Sequence, residues 1–101
     1  MTIFWTDTAI ESLELIFDFY TLQANKTVAK KVVKQIVEST FQLKTYPKSG
    51  QKEDLLKRRA IEYRYIVTGN HKIIYWIEGK TIKIALVFDC RQNPTKLSQL
   101  K

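Results

Sequence analysis

Two hydrophobic periods divide the chain. Between Ala9 and Leu43 apolar residues recur at three and four positions, and from Ile61 to Asp89 they tend to alternate. These are the spacings of amphipathic helices and of half-buried strands. The first helical stripe is Ala9, Ile10, Leu13, Ile16, Phe17 and Tyr20, with Glu11, Glu14 and Asp18 outside it. Thr6-Asp7-Thr8 stands just before it, a cluster able to accept hydrogen bonds from the free N–H groups of a first turn. Asn25 is a second capping signal. It precedes Val28, Val32, Ile36 and Leu43, flanked by Ala29, Val33, Val37 and Thr40, and predicts a longer helix running to about Tyr46-Pro47. Lys26, Lys30, Lys31 and Lys34 fall on its exposed side. The short link between the stripes makes the two helices an antiparallel hairpin.

Three strands are predicted after it, Ile61 to Thr68, His71 to Glu78 and Lys80 to Asp89. Gly69-Asn70 and a turn around Glu78-Gly79 separate them, and both supply the glycine that tight hairpins favour. With two-residue turns, Ile66, Ile73, Tyr75, Ile77, Ile82, Ile84, Leu86 and Phe88 share one face, suited to packing on the helices. The other face then carries Tyr63, Tyr65, Val67, Lys72, Ile74, Trp76, Lys83, Ala85, Val87 and Asp89, and a bulge would exchange part of these sets. Thr2 to Trp5 is a short β-prone run that should join a sheet edge, and Lys48 to Asp54 reads as a polar connection. The expected fold is α+β, in the order β-α-α-β-β-β, an antiparallel sheet with the N-terminal helical hairpin on one face.

Composition narrows the chemistry. A length of 101 residues with 45% hydrophobic content suits one domain spanning 1–101. There is no apolar run of membrane-spanning length and no secretion-signal pattern at Met1 to Trp5, so a cytoplasmic location is expected. Cys90 is the single cysteine and His71 the single histidine, which excludes an internal disulfide and a multi-histidine zinc site; no metal or cofactor is expected. Charge is unevenly placed. Residues 1–25 contain four acids and no Lys or Arg, and the rest carries all 17 basic residues against six acids. Such a surface attracts a phosphate backbone or an acidic protein segment.

Individual residues divide accordingly. His71 beside a turn reads as structural, Tyr75 as core and Cys90 as an idle thiol. Trp76 and Tyr65 are open between packing and recognition, since aromatic rings among cations stack bases or bury a partner. Lys57-Arg58-Arg59 is open between a solvated segment and a contact with phosphate or an acidic partner.

The chain resembles the RelE/ParE superfamily, the toxin halves of bacterial type II toxin–antitoxin pairs. The resemblance rests on Trp5-Thr6-Asp7-Thr8-Ala9, on Gly69-Asn70-His71-Lys72-Ile73-Ile74-Tyr75 and on Val87-Phe88-Asp89-Cys90-Arg91-Gln92-Asn93-Pro94. It implies a cognate antitoxin, growth inhibition of the plasmid-stabilisation type, and one of two targets. A RelE-like chain would be a ribosome-dependent, metal-independent endoribonuclease acting on mRNA, with Arg64, Lys72 and Arg91 as catalytic candidates. The RelE group also uses a Tyr in its C-terminal segment, and Pro94 to Lys101 contains none. A ParE-like chain would inhibit DNA gyrase with no catalytic centre of its own, and this branch is ranked first. The target- or nucleic-acid-binding candidates are Arg91, Lys72, Lys83, Tyr65 and Trp76. A non-toxic binding module is the third reading.

Overall fold

The computed structural model describes residues 1–53 and 60–90. Its elements are β1 (Thr2–Trp5), α1 (Asp7–Gln23), α2 (Lys26–Ser39), a 3-10 turn (Thr40–Lys44), β2 (Gln51–Lys52), β3 (Arg64–Thr68), β4 (His71–Glu78) and β5 (Thr81–Asp89). The caps act as their sequence suggests. Thr6 Oγ1 accepts the Ala9 N–H at 3.2 Å, and Asn25 Oδ1 accepts the Val28 N–H at 2.9 Å. The Ala24-Asn25 link leaves no room for anything but an antiparallel hairpin. The predicted second helix is α-helical to Ser39 and tightens into the 3-10 turn, where the Ser39 and Thr40 hydroxyls donate to the Ile36 and Val37 carbonyls at 2.6 and 2.7 Å. Such bonds compete with the regular ladder and suit a helix end. Both hairpin turns have two residues, opened by Gly69 and Gly79 at φ of 57° and 60°.

The sheet order is β1-β5-β4-β3-β2. It is antiparallel except at one edge, where β1 runs parallel to β5, with Thr2 opposite Thr81 and Trp5 opposite Ile84. The unpredicted strand β2 explains this departure from an all-antiparallel sheet. Gln51 and Lys52 pair with Tyr65 and Arg64 inside what reads as a polar connection, adding one chain reversal and so inverting the direction of β5 relative to β1. β4 has the predicted bounds, while β3 and β5 begin later than predicted, at Arg64 and Thr81.

One residue changes the sidedness of β5. Tyr75 lies opposite Ile84 and Ile74 opposite Leu86, so Ala85 is extra, a β-bulge inside the strand. Ile66, Ile73, Tyr75, Ile82 and Ile84 face the helices as expected, joined by Val87, and pack with Ala9, Ile36 and Leu43. Leu86 and Phe88, expected there, turn to the other face, where Tyr63, Ile74, Ala85 and Phe88 form a second buried cluster flanked by Tyr65, Trp76 and Leu86. Asp89 follows Val87 in the new alternation, and leaves the open face to which the sequence assigned it. The neighbourhood sustains the bulge. Thr6 Oγ1 donates to the Ile84 and Ala85 carbonyls at 2.8 and 3.3 Å, and Ser12 Oγ accepts the Val87 N–H at 3.1 Å beyond the end of β1. Ile10 and Val28 are exposed rather than in the helix stripes, because Ala9 with Ser12 and Ala29 with Ile36 centre the buried sides.

Candidate target-binding face

Three cross-strand rows make up the sheet face away from the helices. The first runs Phe4, Lys83, Trp76, since Phe4 is opposite Lys83 in the parallel pair and Lys83 is opposite Trp76 in the antiparallel one. Lys83 Nζ stands 4.4 Å from the centroid of the Phe4 ring, a cation–π contact, and 3.7 Å from Glu78. The Tyr63 ring meets Trp76 edge to face at 5.8 Å. Trp76 Nε1 is buried with no hydrogen-bond partner among the described residues. The second row is Leu86, Ile74, Tyr65 and Gln51, in which the Tyr65 hydroxyl donates to Gln51 Oε1 at 2.9 Å.

The third row holds Phe88, Lys72 and Val67. Lys72 Nζ pairs with the carboxylate of Glu53, whose side chain is 3% exposed, and sits 4.0 Å from the Tyr65 ring centroid. Its own side chain is 17% exposed. Lys72 is thus a clamp that draws the chain after β2 onto the sheet, with its charge spent inside the protein. Lys83 presents more of itself, at 25%, beside a Phe4 that is half exposed. Phe4 and Glu53 are the participants that sequence reasoning missed. The β-prone run around Phe4 carried no sign of which side chain would face outward, and Glu53 meets Lys72 only through tertiary folding.

Arg64 lies elsewhere. It is opposite Tyr75, whose side chain is in the helix-side core, while Lys72 alternates to the other face. Its Nη1 donates to the Gly50 carbonyl at 2.9 Å and more weakly to that of Lys48 at 3.4 Å, and its Nη2 meets Glu62 at 3.3 Å. Lys52, with help from Arg64, holds the Glu62 carboxyl below the usual range. Beside this lattice Tyr75 donates to the Pro47 carbonyl at 2.7 Å and accepts the Gly50 N–H at 3.0 Å. Burial pushes its hydroxyl above the ordinary phenol range, against the opposing effects of the Gly50 N–H and the Arg64 charge. The sheet therefore keeps Arg64 and Lys72 apart, each occupied by structural partners. Lys72, Lys83, Tyr65 and Trp76 do share one face.

His71 is buried on the helix side, with the Tyr20 ring 6.1 Å away, in keeping with its structural reading. Cys90 is a free, exposed thiol. Arg91 and Lys57-Arg58-Arg59 lie outside the described residues. Among the described residues no group of three or more His, Cys, Asp or Glu could hold a metal ion, and no helix is long and apolar enough to cross a membrane.

Residues 3–94 match the family described as ParE toxin of type II toxin-antitoxin system, parDE. Among solved structures the fold is similar to a chain from the chromosomal ParDE TA system from P. aeruginosa, with a TM-score of 0.73 and 23% identity, over 88% of this chain and 95% of that one. No curated protein matches the sequence significantly. A two-helix hairpin on a five-stranded sheet, with the family pattern running through nearly its full length, defines a type II toxin of the RelE/ParE fold. This chain belongs to the ParE toxin family, and a cognate antitoxin is its implied partner.

Proposed function

We propose that this toxin acts by binding DNA gyrase and that the lysine-aromatic face of the sheet takes part in the contact. The family match across residues 3–94 carries the reading. The separation of Arg64 from Lys72 supports it over RNA cleavage, because in-line attack on a phosphodiester needs its acid, base and charge-stabilising groups around one phosphorus. A protein interface makes no such demand. It needs apolar area ringed by well-placed polar groups, and Phe4, Lys83 and Trp76 offer that combination. Lys72 and Tyr65 serve the face by holding it together, and Arg91 is assigned to the same contact.

The test follows gyrase and messenger RNA in parallel. Purified toxin should inhibit supercoiling by gyrase and raise gyrase-dependent DNA breaks, while message in the same cells stays intact at early times. Lys83→Glu reverses a partly exposed charge without disturbing the core, and should weaken inhibition by about tenfold or more, the scale of a central interface residue. Early codon-positioned cuts in message, with gyrase untouched, would replace this proposal by the endoribonuclease one. Full inhibition by Lys83→Glu would remove the face from the contact.

A further inference from the structure

The outer ridge of α1 is apolar. Leu15, Phe19 and Leu22 are 71%, 49% and 86% exposed, and their spacing of four and three places them along one solvent-facing flank of the helix, beside the side that buries Ala9 and Ser12. Single exposed leucines are ordinary, whereas an aligned set forms a patch. Glu11 and Asp18 lie along one side of it, with Glu14 beyond them, and no Lys or Arg occurs in the first 25 residues. The adjoining helix has the opposite character. Lys30, Lys31 and Lys34 are exposed on α2, on the side away from buried Ala29 and Ile36, and of the three Lys34 alone has an ion pair among the described residues, an exposed one to Glu38 at 3.7 Å. The hairpin therefore shows an acidic, apolar strip on one helix and, on the other, a basic strip whose long methylene stems can cover hydrocarbon.

We propose that this surface binds a second copy of the same chain. In a twofold arrangement α1 of each copy lies against α2 of the other, so the lysine stems cover Leu15, Phe19 and Leu22 while the ammonium groups face Glu11 and Asp18. The symmetry forms every contact twice, as an isologous dimer requires. Charge selects this occupant. A nucleic acid or an acidic polypeptide is repelled by α1, whereas the chain carries on its own neighbouring helix the cations that α1 lacks. The proposed dimer leaves the Lys83 face free, because that face lies on the other side of the sheet from the helices.

Sedimentation velocity on the purified full-length chain tests this. The wild type should show a concentration-dependent monomer–dimer equilibrium that weakens as salt rises from about 0.05 to about 0.5 M, since exposed charge pairs are screened over that range. Leu15→Glu and Leu22→Glu alter solvent-facing positions, so their circular dichroism should match the wild type while the dimer weakens by about tenfold or more. Asp18→Lys should weaken it too, and Asp18→Lys with Lys34→Glu should restore it. A monomer at every concentration overturns the proposal, as does a dimer indifferent to the leucine variants. If the variants instead weaken the antitoxin complex of a chain that is monomeric by itself, the strip belongs to the antitoxin and the self-association is refuted.

Discussion

Gly50→Ala tests the lattice that ties β2 to the sheet. A Cβ on Gly50 would lie 2.5 Å from Tyr75 Oη, 2.7 Å from the Tyr65 carbonyl oxygen and 2.8 Å from Tyr75 Cε1. None of these can yield cheaply, because one is backbone and the others belong to a fully buried ring. Gly50 does not have a positive φ, so space alone excludes the methyl group. Overpacking of this kind costs about 1–3 kcal/mol. If the loop moves aside, the Gly50 N–H to Tyr75 bond at 3.0 Å and the Arg64 to Gly50 carbonyl bond at 2.9 Å are lost, and a buried polar group left unpaired costs about 1–3 kcal/mol more. The sum, roughly 2–6 kcal/mol, is a large share of the about 5–15 kcal/mol that stabilises a domain of this size. Urea unfolding followed by tryptophan fluorescence measures it, and the thermal midpoint should fall by about 4–8 °C per kcal/mol. Tyr75→Phe removes the closest clash but not the other two, so the double variant should be less destabilised than the sum of the singles by about 0.5–1.5 kcal/mol. A Gly50→Ala protein within about 0.5 kcal/mol of wild type, or strict additivity with Tyr75→Phe, would refute the steric account.

Two further outcomes follow from the same geometry. Burial raises the pKa of Tyr75 in the folded chain, so its contribution is complete below about pH 10 and is lost as pH rises through the folded value; Tyr75→Phe should flatten the alkaline limb of urea midpoint against pH, and an unchanged slope would show that this phenol does not govern it. Lys72→Met takes the Lys72 ammonium away from the buried Glu53 carboxylate and should cost about 2–4 kcal/mol, less than a fully buried pair because Lys72 is partly exposed, with Glu53→Gln in the same chain recovering part of the loss. Equal denaturant midpoints for Lys72→Met and wild type would show that the pair contributes little.

Features decided locally were legible in the sequence. Thr6 and Asn25 announce their helices because a capping side chain bonds to a backbone group three residues on, and Gly69 and Gly79 mark turns that need a positive φ. The sides of β3, β4 and the first half of β5 follow from those turns. What the sequence concealed depends on distant partners. Ala85 has no side-chain signal of a bulge, and Ser12 and Thr6 sustain it from across the chain. Strand β2 is two polar residues, too short for any periodicity. The candidate site was half legible for the same reason. Lys72, Lys83, Tyr65 and Trp76 share a face as expected, yet no local pattern distinguishes a lysine turned inward to Glu53 from one that reaches solvent beside Phe4.

The parallel contact between β1 and β5 joins Thr2 to Thr81 across most of the chain's length. The first strand to leave the ribosome must therefore wait for the last before its edge is satisfied. At about 5–20 residues per second the delay is on the order of several seconds, during which a nascent toxin lacks the edge that sets Phe4 against Lys83. A polypeptide cut short before its final strand therefore lacks the edge on which the proposed gyrase contact depends.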